Sequence, residues 1–376
     1  MLSPLEKKFD SSNPQTDDVA SALKQKIQQQ QQDPQDEKAI VFETPNEDNE
    51  PSNVLIENQQ KNPAAATQVF QPSHGTLRYC KVHDFSENIN VTDPKLFECV
   101  KTAAASDLKI CLFPTNQDIW VSGGIRQHGG WELGWNKAIM DALTKYPDAA
   151  FLDIGANIGM HSLVAAKKGH QVVAVEPKLE TIQRLHKSVN LNNLQERFTL
   201  VKNGISDVRT NLTLYADDKN QGGSSIVSHM SGKRQTIETI IFDDLLEVFP
   251  RKEAVLKIDI EAAEPQALNV SRAFFQAVNI RVIFMEWMQL RDKYFLGINH
   301  DKAGRNQAIA MTDYLRSFGF VPKIFQPNLF QSTNTSTSLF EKPMNQWPND
   351  IIWFKNWLFF LKIGSYPLNQ KYTMLL

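Results

Sequence analysis

FLDIGANIGMHSLVAAKKGHQVVAVEP, residues 151–177, decides the fold of this chain. The apolar run Ala149-Ala150-Phe151-Leu152 reads as a buried strand. Asp153-Ile154-Gly155-Ala156-Asn157-Ile158-Gly159 is a glycine-marked turn. Met160, Leu163, Val164 and Ala165 then space like the packed face of a helix, which Gly169 ends. Gln171 to Val175 is a second buried strand, closed by Glu176-Pro177. Strand, glycine turn, helix, strand and acid make the first half of a nucleotide-binding crossover.

Each part has a physical purpose. Gly155 and Gly159 lack a Cβ, so the backbone can turn sharply and approach a ligand. The helix start presents free N–H groups. Glu176 can accept two hydrogen bonds from a ribose diol. The glycines are four apart with Asn157 between them, whereas a dinucleotide fingerprint needs GxGxxG. Asp153 stands where a carboxylate can meet an ammonium group. A ligand with an amino-acid end and an adenosine end fits this spacing better than a nicotinamide dinucleotide, and S-adenosylmethionine is that ligand. Asp153, Gly155, Asn157 and Gly159 are expected to hold its methionine end, and Glu176 its ribose.

The pattern of strand and helix continues downstream. Leu179 to Asn190 reads as a helix and Phe198 to Asn203 as a third strand. At that strand's carboxyl edge Asn203 or Asp207 could read the adenine amino group. Asn211 to Tyr215 and Arg234 to Phe242 read as an inserted hairpin, and Asp217 to Gly232 as a mobile loop over the cleft. Ala254 to Ile258 is the fourth strand, followed by Asp259-Ile260-Glu261-Ala262-Ala263-Glu264. Alternation along an extended strand would set Asp259 and Glu261 on one side. Such acids can deprotonate a hydroxyl, bind a divalent metal or orient a sugar. Glu264 either takes a direct part in the site or caps or starts a helix running from Pro265 to Ala277, in which case Glu261 favours that helix's positive end. The fifth strand, Ile280 to Met285, is topped by Glu286, a second candidate base. A helix over Asn306 to Phe318 and two closing strands, Phe320 to Phe325 and Asp350 to Phe354, complete the sheet.

Upstream, the chain becomes globular near Leu77. Tyr79 to Ile89 and Leu108 to Val121 carry strand-like alternation, and Asp93 to Ser106 looks helical. Gly123-Gly124-Ile125-Arg126-Gln127-His128-Gly129-Gly130-Trp131-Glu132 reads as a glycine-rich loop, a lid or wall near the cleft. Residues 1–73 hold a glutamine run, Gln28 to Gln32, with many acids and prolines, and cannot bury enough surface to offset chain entropy.

The 376 residues carry a formal net charge of −2, which gives no global case for nucleic acid. Cys80, Cys99 and Cys111 are too few for a disulfide framework and lack metal spacing, so reduced thiols are expected. The opening, MLSPLEKKFDSSNP, has no apolar core, and no stretch is long enough to span a membrane. A cytoplasmic location is expected, with a Golgi-type location the alternative if an anchor is missing. Oligomeric state is not legible.

On Asp153 to Gly159 with Ser162, Val175-Glu176-Pro177, Thr239 to Leu245, and Leu256-Lys257-Ile258-Asp259-Ile260-Glu261 with Glu264, the chain resembles the FkbM-type methyltransferases. The resemblance covers roughly Phe151 to Trp287, and more loosely the tail to Phe354. It implies an α/β fold, a class I methyltransferase Rossmann-like doubly wound sheet with an antiparallel last strand. It also implies S-adenosylmethionine as donor and O-methylation, often of a sugar or glycan hydroxyl. From the residues, Asp259 or Glu261 is expected to take the hydroxyl proton, directly or through a metal, with Glu286 a second candidate base or substrate ligand. The family usually has glycine after the second acid, where this chain has Ala262. The expected organisation is a disordered Gln/Asp/Asn-rich extension (1–73), a cap region packing on the core (74–148) and an S-adenosylmethionine-binding methyltransferase domain (149–376). A metal-dependent small-molecule O-methyltransferase shares this layout. A catalytically degenerate cofactor-binding module is the alternative outside enzymes.

Overall fold

The structure is a computed structural model that describes residues 77–87, 97–215, 234–296, 301–325 and 338–355. These belong to one compact unit, Thr67–Leu376. The extension expected over 1–73 and the loop expected over Asp217 to Gly232 lie outside the described residues.

The chain opens with a short antiparallel pair, β1 (Cys99–Lys101) and β2 (Lys109–Cys111). Helices α1 (Val121–His128) and α2 (Leu133–Lys145) follow. The alternating core runs β3 (Ala150–Ile154), α3 (Met160–Lys167), β4 (Val172–Val175), α4 (Leu179–Leu191) and β5 (Phe198–Val201). Strands β6 (Gly204–Ile205), β7 (Asn211–Tyr215) and β8 (Arg234–Ile240) form a small sheet of their own, in the order β6-β8-β7. Then come β9 (Glu253–Ile258), the short helices α5 (Glu264–Leu268) and α6 (Arg272–Ala277), β10 (Asn279–Glu286), α7 (Lys302–Ser317), β11 (Phe320–Ile324) and β12 (Asp350–Lys355).

The main sheet has seven strands in the order β11-β12-β10-β9-β3-β4-β5. Strands β3, β4, β5, β9 and β10 pair in parallel, and β12 runs antiparallel to both of its neighbours. The chain enters at β3, winds outward to β5, then returns to the other side of β3 with β9. The strand order therefore reverses between β3 and β9, and the crevice beyond their carboxyl ends is where such sheets bind ligands.

Period-two alternation explains both faces of the sheet. Ala150, Leu152 and Ile154 of β3 join Ala254, Leu256 and Ile258 of β9 in one core layer. Phe151 and Val255 point into the other, against α2 and α3. Asp153 and Lys257 follow Phe151 and Val255 by two residues on that same face, and the parallel register sets them directly opposite. A buried carboxylate and a buried ammonium are thus cross-strand neighbours.

The structure corrects several local expectations. The glycine-rich loop is largely helix α1, and only Gly129 to Glu132 remains loop. Asp118 starts that helix by accepting from the backbone N–H groups of Val121 (3.2 Å) and Ser122 (2.8 Å). Within the segment expected to be helical, Cys99–Lys101 is strand. Of Leu108 to Val121 only Lys109–Cys111 is strand, and Tyr79 to Ile89 yields a single bridge, Val82 to Val201. The helix expected from Pro265 to Ala277 breaks between α5 and α6, where Ser271 Oγ donates to the Leu268 carbonyl at 2.6 Å. Cys99 and Cys111 form a disulfide rather than reduced thiols, because the β1–β2 register places them opposite one another. Cys80 is free and buried. Among the described residues no helix is long and apolar enough to cross a membrane.

Candidate active site

Three left-handed residues shape the turn after β3: Gly155 (φ +79°), Asn157 (φ +52°) and Gly159 (φ +86°). The two glycines serve packing. A Cβ on Gly155 would lie 2.0 Å from the Asp259 carbonyl oxygen in the neighbouring turn. A Cβ on Gly159 would lie 2.3 Å from Leu185 Cδ1 on α4. Asn157 is the side-chain-bearing residue type that tolerates this conformation best. Its Oδ1 accepts from Ile158 N at 2.7 Å, and its own N–H donates to Glu176 Oε2 at 3.0 Å. Glu176 Oε1 accepts from Lys178 N at 2.9 Å. The carboxylate at the tip of β4 is therefore fixed by two backbone donors. Burial raises its pKa, and those donors, with the Lys178 charge, oppose the rise. Each oxygen keeps a lone pair for a further donor.

A cleft of about 470 Å³ opens over this turn, at the reversal of strand order. One end is lined by Asn203, Ile205, Leu214 and Ile237, between β5 and the small sheet. The middle holds Gly155, Asn157 and Glu176. The other end holds Asp259, Glu261 and Glu286 with Glu132, His161 and Lys257. Trp120 and Trp131, flanking α1, form part of the wall.

Seven of the ten residues expected from sequence line this cleft; Asp153, Gly159 and Asp207 do not. Asp153 is fully buried beneath the floor. Its Oδ2 accepts from Ser162 Oγ at 2.6 Å, and its Oδ1 lies 3.6 Å from Lys257 Nζ. Its ammonium partner is thus the lysine of β9 and not a ligand. Gly159 faces α4. Asp207 is exposed and, among the described residues, accepts from Ser206 Oγ at 3.1 Å. Asn203 reaches the cleft, but its Oδ1 accepts from Lys81 N (2.8 Å) and its Nδ2 donates to the Glu238 carbonyl (3.4 Å). It ties the N-terminal segment and β8 to the end of β5.

The acid-rich end is built differently from a continued strand. Strand β9 stops at Ile258, and the chain turns through Glu261 (φ +58°) and Ala262 (φ +66°). Left-handed backbone at these two non-glycine residues costs of order 1–2 kcal/mol each. The Ala262 carbonyl accepts from Tyr294 Oη at 3.0 Å, which helps hold the turn. The structure thus gives a reason for a glycine preference here: φ is positive, and alanine adopts it under strain.

Lys257 Nζ sits 3.3 Å from Asp259 Oδ2 as well as beside Asp153. Burial alone would lower its pKa, but Asp259, Asp153 and Glu132 outweigh that and hold it raised, so the ammonium is locked on. The other acids move the opposite way. Burial, then Asp259 and Glu264, raises Glu261. Burial, then Asp259, Glu261, Glu264 and Asp350, raises Glu286. Glu264 is fully buried, accepts from Ile260 N at 2.8 Å through Oε1, and is pushed up to about 7, chiefly by burial.

Glu264 makes a pH prediction. Its folded pKa lies above its ordinary value of 4.5, so the folded state holds a proton that the unfolded state releases. The associated stability is present below pH 4.5 and lost as pH rises to about 7. A Glu264→Gln variant keeps the acceptor for Ile260 N without the ionisation. Its stability relative to the parent should rise by roughly 3 kcal/mol between pH 4.5 and pH 8, read as a widening gap in denaturation midpoints. A gap that stays constant with pH would contradict the assignment.

Three charged or titratable cleft residues, Glu132, His161 and Lys257, were not among those expected. Glu132, in left-handed backbone (φ +49°), lies 3.1 Å through Oε2 from His161 Nε2. Burial would raise the Glu132 pKa, yet His161 and Lys257 bring it below its ordinary value. Lys257 was visible as the one charge inside the apolar run Ala254 to Ile258, and a charge buried in a strand must have partners. His161 and Glu132 carried no comparable signal. Among the described residues no group of three or more His, Cys, Asp or Glu is arranged to hold a metal.

A doubly wound sheet with one antiparallel strand, a left-handed glycine turn and a fixed acid at the next strand tip define a class I methyltransferase fold. Residues 153–322 match the family model described as the methyltransferase FkbM domain. Over that span the chain is similar to the FkbM-type methyltransferases. The AMB antimetabolite synthetase AmbE of Pseudomonas aeruginosa is 27% identical over 234 residues, a match covering 52% of this chain and 10% of that protein. The chain thus matches about a tenth of that relative's length. Among solved structures, an O-methyltransferase from Bacillus cereus in complex with SAH aligns at 11% identity and TM-score 0.35, covering 58% of this chain and 79% of that one. TomG, an O-methyltransferase from Streptomyces achromogenes involved in tomaymycin synthesis and solved with SAM, aligns at 10% identity and TM-score 0.35, covering 61% and 84%.

Proposed function

We propose that this methyltransferase uses S-adenosylmethionine to methylate a hydroxyl group of a sugar, a glycan or a small molecule. The observation that carries the reading is Glu176, whose two oxygens are fixed by Asn157 N and Lys178 N at the edge of the cleft. A carboxylate so held, each oxygen with a lone pair to spare, is matched to a vicinal diol. The residues fit the donor: an acid for the ribose, apolar Ile205, Leu214 and Ile237 for an adenine face, and the helix start of α3 beyond the glycine turn. The cleft, at about 470 Å³, falls within the range of roughly 300–1,000 Å³ for small-molecule sites.

When bound, the sulfonium supplies an electrophilic methyl group. The protein's part is then alignment and proton management. Glu261 and Glu286 line the acid-rich end and have no hydrogen-bond partner among the described residues. The Glu261 carboxyl, raised to about 8, suits proton uptake near neutral pH, whereas Glu286, raised to about 10, keeps its proton there and can donate a hydrogen bond. Asp259 is engaged by Lys257 and is the weaker candidate. Glu261 is our choice of base, with Glu286 orienting the acceptor.

The test is calorimetry with S-adenosylmethionine, followed by mass spectrometry of a panel of glycans and hydroxylated small molecules incubated with labelled donor. Saturable 1:1 binding and label on an acceptor oxygen are expected. Absence of binding would refute the donor, and label on nitrogen or carbon would refute the reaction class.

A further inference from the structure

We infer that His161, held by Glu132, forms the subsite for the carboxylate of the donor's amino-acid end; this rests on the donor reading above. The place was expected to belong to the turn residues and Asp153, but Asp153 is spent on Ser162 and Lys257 below the floor. That leaves the amino-acid end without a charged partner from the predicted set. His161 is the second residue of α3, lines the cleft and is only 6% exposed. Its Nε2 lies 3.1 Å from Glu132 Oε2, while its Nδ1 is buried with no hydrogen-bond partner. A buried ring nitrogen without a partner is costly, so it points to a ligand atom.

Two features favour an anion there. The first-turn N–H groups of α3, an eight-residue helix, project from its positive end, on the side lined by Met160 and His161. A histidine whose Nε2 donates to a carboxylate can also carry a proton on Nδ1 and donate it to a second acceptor. Glu132 holds the ring from a left-handed backbone position with a half-buried side chain. It positions the ring and does not itself meet the ligand. Trp135 lies against the imidazole at 6.3 Å between centroids and restricts its tilt.

The test compares two probes on two proteins by calorimetry: S-adenosylhomocysteine and its decarboxylated analogue, on the parent chain and on His161→Ala. In the parent, loss of the carboxylate should weaken binding about tenfold to a hundredfold, the range for a hydrogen bond to a charged group. In His161→Ala that ratio should collapse toward one, with the analogue binding as it does to the parent. Glu132→Gln should reduce the ratio partway. A ratio unchanged in His161→Ala, or equal weakening of both probes, would overturn the inference by assigning His161 a structural role. Equal binding of both probes to the parent would also overturn it while leaving the donor reading intact. If the parent binds neither probe, the donor reading fails first and the inference falls with it. His161→Asn, of similar polarity, serves the same comparison should the alanine variant not fold.

Discussion

Gly155→Ala is expected to cost about 2–5 kcal/mol of stability and to abolish donor binding in whatever fraction still folds. Two terms add. The backbone at this position has φ +79°, where an alanine costs of order 1–2 kcal/mol. The new methyl would also sit 2.0 Å from the Asp259 carbonyl oxygen and 3.1 Å from Ile260 Cγ2. The first of these is backbone, and it cannot rotate away. Asp259 N also donates to the Ile154 carbonyl at 3.1 Å, so the two turns are tied where the clash falls. Forced separation of packed groups costs typically 1–3 kcal/mol more. For a domain of this size that sum lowers the melting midpoint by roughly 6–15 °C.

Gly169→Ala is the control. Gly169 has φ +100°, yet nothing lies within 4 Å of an added Cβ. It therefore carries the conformational cost alone. The difference between the two variants isolates the steric contact that joins the β3 turn to the β9 turn, and with it the floor of the cleft. Equal destabilisation of the two would mean that the turns are not locked together.

That contact also marks the limit of what the sequence could disclose. The alternation of strands and helices from Ala150 to Glu286 was legible because buried strands and amphipathic helices differ in period and length. The tips of β4, β9 and β10 were legible as well, since an acid ending an apolar run stands out. The partners of those acids were not. Asp153 meets Lys257 only because a parallel register aligns strands more than a hundred residues apart. His161 meets Glu132 across a helix and a strand. Gly123 and Gly124 read as breakers, yet α1 runs through both: Asp118 supplies its start, and Trp131 packs over Gly124, where a Cβ would lie 2.8 Å from the ring. In each case a tertiary contact overrode a local rule. The reason first given for Asp259 and Glu261, strand alternation, also fails, because left-handed backbone at Glu261 and Ala262 turns the chain into the cleft.

Glu261→Gln should lower kcat by about 10²–10⁴-fold, the usual contribution of a positioned proton acceptor, while leaving donor affinity by calorimetry unchanged. Its stability should hold or rise above neutral pH. Glu261 has its pKa raised by burial and by the Asp259 and Glu264 charges, so its ionised form is a burden on the fold that glutamine removes. Asp259→Asn should behave in the opposite way. It removes the partner 3.3 Å from the buried Lys257 ammonium and leaves that charge with Asp153 at 3.6 Å. An undercompensated buried charge costs of order 3–5 kcal/mol, so the asparagine variant should melt early. The two acids, two residues apart in sequence, thus separate into one that takes a proton and one that holds a charge. The kcat/KM profile gives the sharpest check. The parent's acid limb should report the raised carboxyl, and Glu261→Gln should lose that limb along with most of the rate. A Glu261→Gln enzyme within threefold of the parent, with its acid limb intact, would move the base to Glu286 and leave Glu261 as a strained turn residue with no part in proton transfer.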